Sequence, residues 1–260
     1  MANQPQKADP IRARYYRPLE IAETCSGWLF WIVATLSILA LAVERASSPN
    51  LYDFVQAAFI VGVLGLFFIG QGVRLYWTPR AEDKRRQSLL SNSFSVAITH
   101  EQTAGYYNND QTNPLIRLSA SLLENSFFSK NIALDMAHSE RIRVAIYAAI
   151  WIIALLNRST DLALGAAMAQ AVFSEQIIAR WIRLEWLRMR FERVYEGLYR
   201  LMQTTMNFNR DEFRVRVIEA FGEYETSKGY GGITLSAKIF ERLNPSLSTE
   251  WMQIRQTLKL

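Results

Sequence analysis

Hydrophobic positions in this chain gather into four nearly unbroken runs, set between segments dense in charge. The first, Cys25 to Val43, is 19 residues without a formal charge, and the second, Phe54 to Val73, is 20. At about 1.5 Å per residue, each predicts a helix that crosses a hydrocarbon core of about 30 Å. The third, Ile142 to Leu156, is 15 residues and carries Arg143 near one end, where a long cationic side chain can snorkel to an interface. The fourth, from about Leu162 to Ile182, is interrupted by Glu175. Only Asn157 to Asp161 separates the third from the fourth, a length that suits antiparallel neighbours. The pattern predicts an all-α integral membrane protein, with four transmembrane helices in two hairpins and a helical cytoplasmic domain. For the second pair, a hairpin buried in a soluble core is the competing reading.

Charge orients the runs. Lys7, Arg12, Arg14 and Arg17 precede the first, Arg74, Arg80, Lys84, Arg85 and Arg86 follow the second, and Arg180, Arg183, Arg188, Arg190 and Arg193 follow or close the fourth. The two connectors carry only Arg45 and Arg158. The excess of Lys and Arg marks the cytoplasmic side, so a multi-pass protein with both termini cytoplasmic is expected. The first run starts late and lacks a small-residue cleavage site, which argues against a secretory signal peptide. The expected organisation is a basic arm (1–24), a first hairpin (25–77), a helical insert (78–141), a second hairpin (142–183) and a helical tail (184–260).

The insert reads as helix, loop, helix, with the turn-rich Gly105 to Pro114 between its halves. Leu118, Leu122, Leu123 and Phe127 fall on one helical face, the spacing of a core stripe. In the tail, Leu184, Leu187, Phe191, Val194, Leu198 and Leu201 recur at nearly heptad spacing and require a partner helix, from this chain or from another copy. Thr226 to Thr234, with its "GYGG", reads as a loop, and an amphipathic segment is expected to end before Pro245.

Motifs for catalysis are absent: no nucleophile elbow, phosphate-binding loop or dinucleotide fingerprint occurs, and the two histidines and Cys25 form no metal-ligand spacing. The expectation is a protein that is not an enzyme and needs no cofactor or metal. Gly62, Gly65 and Gly72 share a face of the second helix, a small-residue seam for close helix packing. Gln170 and Ser174 lie on a polar stripe of the fourth helix, with Glu175 one step around. An ionisable side chain at membrane depth is a functional hypothesis by default, and carboxylates from several copies would favour cations in a pore. The competing reading puts Glu175 at the cytoplasmic boundary, paired with Arg143. Lys84, Arg85 and Arg86 follow the second run, as topology determinants that meet anionic lipids or as part of an anion pocket. Tyr106 and Tyr107 offer planes on which a base can stack.

Two apolar hairpins with a cytoplasmic domain and no catalytic motif resemble the four-helix membrane effectors of bacterial anti-phage nucleotide-signalling systems. The phrase "AGYYNNDQTNPLIRLSASLLENSFFSK", Ala104 to Lys130, is similar to the channel effector of the Hailong defence system. The resemblance implies a homo-oligomeric ion channel of the bacterial inner membrane whose opening depolarises the infected cell. It also implies a nucleotide or short single-stranded oligodeoxynucleotide ligand, made by a partner nucleotidyltransferase. A membrane-anchored scaffold that recruits a cytoplasmic partner, or a small transporter, are the alternatives.

Overall fold

The computed structural model describes residues 9–43, 45–101, 103, 109–156, 174–205, 208 and 210–260. Among these residues the protein is all-helical, without a strand. The helices are α1 (Arg17–Ala42), α2 (Pro49–Gly72), α3 (Thr78–Phe94), α4 (Pro114–Leu156), α5 (Arg180–Thr204), α6 (Asp211–Gly231) and α7 (Ala237–Leu258). π-helical turns Arg12–Tyr16, Val73–Trp77 and Ser174–Ala179 lead directly into α1, α3 and α5. The chain divides into two units, one of Met1–Tyr16, Thr78–His138 and Arg183–Leu260, the other of Arg17–Trp77 and Ser139–Ile182.

In the second unit, α1 and α2 contain the first two apolar runs. Two helical stretches, Arg12–Ser37 and Pro49–Phe94, are long and apolar enough to cross a membrane. Ser48 precedes α2 and Pro49 opens it, where its missing N–H is one the helix start leaves unpaired anyway. Between the two helices, Val33, Phe59 and Leu66 are buried, with Leu29 and Leu36 against them. The glycine seam has two uses here. A Cβ on Gly62 would lie 2.7 Å from Val33 Cγ2 and one on Gly65 would lie 3.1 Å from Leu29 Cδ2, so both glycines admit α1. Gly72 instead faces Trp77 of its own chain, five residues on, whose ring would stand 2.8 Å from an added Cβ. A π-turn brings position i+5 back over position i, and only glycine leaves room for that indole. The third run is helical as the end of α4; the fourth lies mostly outside the described residues, which resume at Ser174.

The other unit is a helical domain with a conventional interior. Leu122, Leu123 and Phe127 of α4 pack with Leu184, Leu187, Phe191, Val194 and Leu198 of α5, and with Tyr224, Leu247 and Trp251. A second cluster joins Leu89, Leu118, Met202, Phe213 and Val217. The stripe in the insert is therefore core, and the heptad-like stripe finds its partners within the chain.

α4 starts at Asn113, whose Oδ1 accepts from the Leu115 and Ile116 N–H groups, with Pro114 as the first helical residue. Two expectations for the tail need correction. The segment from Thr226 is not a loop: α6 continues to Gly231 and stops where Gly232 takes the left-handed conformation at φ 55°. Gly231 stays helical where an added Cβ would meet Leu187 Cδ2 at 3.2 Å. Nor does the amphipathic segment end before Pro245, because α7 runs through that proline to Leu258. An interior proline costs about 3 kcal/mol, and burial of Leu247 and Trp251 beyond it offsets that cost.

Candidate functional site

The arm that precedes α1 is anchored within the helical domain. Asp9 Oδ1 accepts from the Arg12 N–H at 3.0 Å and so starts the π-turn Arg12–Tyr16, while its Oδ2 pairs with Arg85 of α3 at 2.8 Å. Tyr15 donates to Glu101 Oε1 at 2.6 Å, and Arg14 reaches the same oxygen at 3.2 Å. The other oxygen of Glu101 accepts from Thr99 at 3.1 Å and meets Lys84 Nζ at 3.4 Å. The Tyr15 hydroxyl, followed by Thr99 and Lys84, holds the Glu101 carboxyl down to about 2 against the opposing effect of burial.

Beside this group, Tyr16 donates to Glu82 Oε1 at 3.0 Å, and Glu82 also pairs with Lys228 of α6. Lys228 meets Glu225 at 3.4 Å. Burial alone would lower the pKa of the Lys228 ammonium, but Glu82 and Glu225 outweigh it and hold it well above its ordinary value. The network joins the arm, α3 and α6. Ion pairs this enclosed lose heavily when one partner is removed, because the other charge is left without compensation.

Next to Glu101 opens a polar cleft of about 350 Å³, lined by Ser88, Ser91, Asn92, Ser95, Thr103 and Arg117 among others. Arg117 donates to the carbonyls of Gln111 (2.6 Å) and Asn92 (3.1 Å) and to Ser95 Oγ (3.0 Å), tying together the two ends of the loop between α3 and α4. Ser88 and Thr103 oxygens stand 3.2 Å apart. Hydroxyls, the Arg117 guanidinium and the Glu101 carboxylate give this cleft a polar lining of mixed charge.

The sequence-derived site residues separate accordingly. Lys84, Arg85 and Arg86 are neighbours on α3, yet each already meets a carboxylate, namely Glu101, Asp9 and Asp83. Tyr106, Tyr107 and Gln170 lie outside the described residues, and Ser174 and Glu175 open the π-helical turn Ser174–Ala179. Gly62, Gly65 and Gly72 make the close approaches given above. Arg143 pairs at 3.1 Å with Glu140, one helical turn before it, and Arg180 Nε meets the same carboxylate at 3.4 Å. Glu140, only 6% exposed, is the carboxylate that links the third run to the start of α5. Sequence reasoning passed over it, although the spacing Glu140 to Arg143 is that of an ion pair on a helix. The arm residues Asp9, Tyr15 and Tyr16 were also missed; their partners lie 66 to 86 residues away and leave no local signal. Compared with known proteins, the chain matches no family model, no curated protein and no solved structure.

Proposed function

We propose that the protein is a homo-oligomeric ion channel of the bacterial inner membrane. Its helical domain, in the cytoplasm together with both termini, receives an anionic nucleotide or short oligodeoxynucleotide. The observation that carries the membrane part is the outer surface of the α1–α2 hairpin, where Trp28, Phe54, Val61, Phe68 and Leu75 are each about two-thirds exposed or more. Each such side chain left in water forgoes about 1.5 to 3 kcal/mol, a cost that lipid removes. Conduction rests on Gln170 and Ser174 of the polar stripe of the fourth run and on Glu175 one step around from it, repeated around a ring of copies. The scaffold alternative loses support, because the stripe it would use to dock a partner, Leu184 to Leu198, is buried within the chain. The phrase Ala104 to Lys130 supports a place in anti-phage defence, with Lys84, Arg85, Arg86, Tyr106 and Tyr107 as the ligand-facing set and a nucleotidyltransferase as the source of the signal.

Ion flux tests the reading. Purified protein in liposomes should discharge a potassium gradient, and Glu175→Gln should change the rate or the preference for cations. Wild-type liposomes that hold their gradient as well as empty ones would end the channel reading. Calorimetry with short oligodeoxyadenylates tests the ligand, whose affinity should fall with salt by a logarithmic slope of about 0.7 per phosphate contact.

A further inference from the structure

Three cations of α3, Arg80, Lys84 and Arg85, fall at positions i, i+4 and i+5, within one half of the helix circumference. The arm covers all three. Asp9 gives Arg85 a carboxylate at 2.8 Å. The ring of Tyr16 lies 5.3 Å from the Arg85 guanidinium, and the ring of Tyr15 lies 5.5 Å from Arg80 and 5.8 Å from Lys84. These are cation–π distances. The face of the arm turned to α3 therefore sets one carboxylate and two aromatic rings on three cations, while its own Arg12 and Arg14 pair elsewhere, with Glu241 and Glu101; that face resembles what a phosphodiester with two unstacked bases would bring to the same helix.

The contact is not a loose surface pairing of the kind that contributes almost nothing. The Arg85 and Asp9 side chains are 15% and 16% exposed, and Glu101, which Tyr15 and Arg14 grip from the arm, is 5% exposed. No linker intervenes between this arm and the first apolar helix: Tyr16 is followed at once by Arg17, the first residue of α1.

We propose that the arm Asp9–Tyr16 is a built-in surrogate ligand, occupying the α3 cations until a phosphate-bearing, base-bearing ligand displaces it. The inference rests on the reading of Lys84 and Arg85 as ligand cations and adds how that site is regulated. A competitor held in place by the fold lowers apparent affinity by the fraction of time the site is open, so releasing it raises affinity without adding a contact. Displacement also frees the residues that immediately precede α1, which gives ligand binding a route to the membrane hairpin.

The test uses the full-length protein in nanodiscs and two probes, a 5′-phosphorylated deoxytrinucleotide and inorganic tripolyphosphate. Asp9→Asn combined with Tyr15→Phe removes two polar ties of the arm and leaves every α3 cation in place. Hydrogen exchange of the peptide 9–16 reads the arm directly, and exchange of α5 and α6 checks that the domain stays folded; should it not, Tyr15→Phe alone replaces the double variant. The arm should exchange about tenfold faster in the variant, the trinucleotide should bind about tenfold more tightly, and in the wild type saturating trinucleotide should speed exchange of the arm. Tripolyphosphate, which has no bases, should gain less from the substitutions than the trinucleotide. Equal trinucleotide affinity in wild type and variant, or an arm further protected by the probe, would overturn the surrogate while leaving the ligand reading intact. No binding of either probe to either protein at low salt would remove the ligand reading, and the surrogate with it.

Discussion

The two units solve opposite problems with the same secondary structure. In the helical domain, Leu122, Leu123, Phe191 and Leu198 are sealed from solvent and charged side chains cover the outside. In the α1–α2 hairpin, the contact between helices is made of Val33, Phe59, Gly62 and Leu66, and the large apolar side chains point away from it. The helical domain is held by what it buries. On the proposed membrane reading, the hairpin is held by how closely two backbones approach, since lipid would satisfy its outer face.

The largest effect that sharpens this contrast is in the helical domain. Phe191→Ala removes a ring that is 1% exposed and should cost about 3 to 5 kcal/mol, whereas Phe68→Ala, at a site 67% exposed, should leave stability within about 0.5 kcal/mol. Denaturation of each variant in detergent measures both. Charge reverses the order. Val61→Lys should cost about 2.5 to 3.5 kcal/mol of insertion near mid-membrane, while Val215→Lys on the exposed face of α6 should be nearly neutral; the yield of membrane-inserted protein reads the first and thermal melting the second. Equal effects would break the division between the units.

Glycines give a smaller effect of the same kind. Gly62→Val forces a side chain onto Val33 and should destabilise the hairpin by about 1 to 3 kcal/mol. Gly222→Ala on α6 meets open space and should stabilise by about 0.5 to 1 kcal/mol through helix propensity. The smallest effect concerns pH. Glu101 titrates at about 2 in the folded protein against an ordinary 4.5, so its contribution is fully present above about 4.5 and drains away as pH falls toward 2. Arm exchange, corrected for intrinsic rate, should accelerate across that window.

Elements carried by their own residues were legible in the sequence: the two long apolar runs, the core stripe Leu118 to Phe127, and the close-packing role of Gly62 and Gly65. Contacts between distant segments were not. Nothing in "DPIRARYY" announces that Asp9 will find Arg85, or Tyr15 the Glu101 carboxylate. Lys84 and Arg85 read as an open basic patch because sequence shows charge and hides its partners. Pro245 and the glycines after Thr226 misled for the converse reason: local breaker chemistry was overridden by packing, of Leu247 and Trp251 beyond Pro245 and of Gly231 against Leu187.

The division between a lipid-facing hairpin and a water-facing domain is tested most directly by single cysteines in a Cys25→Ser background, placed at Ser48, Phe68 and Val215 and challenged with a membrane-impermeant maleimide. In intact cells only the cysteine at position 48 should react, permeabilisation should expose position 215, and position 68 should stay unreactive until detergent is added. Rapid labelling at position 68 in permeabilised cells, at the rate of position 215, would place the hairpin in water and contradict the account.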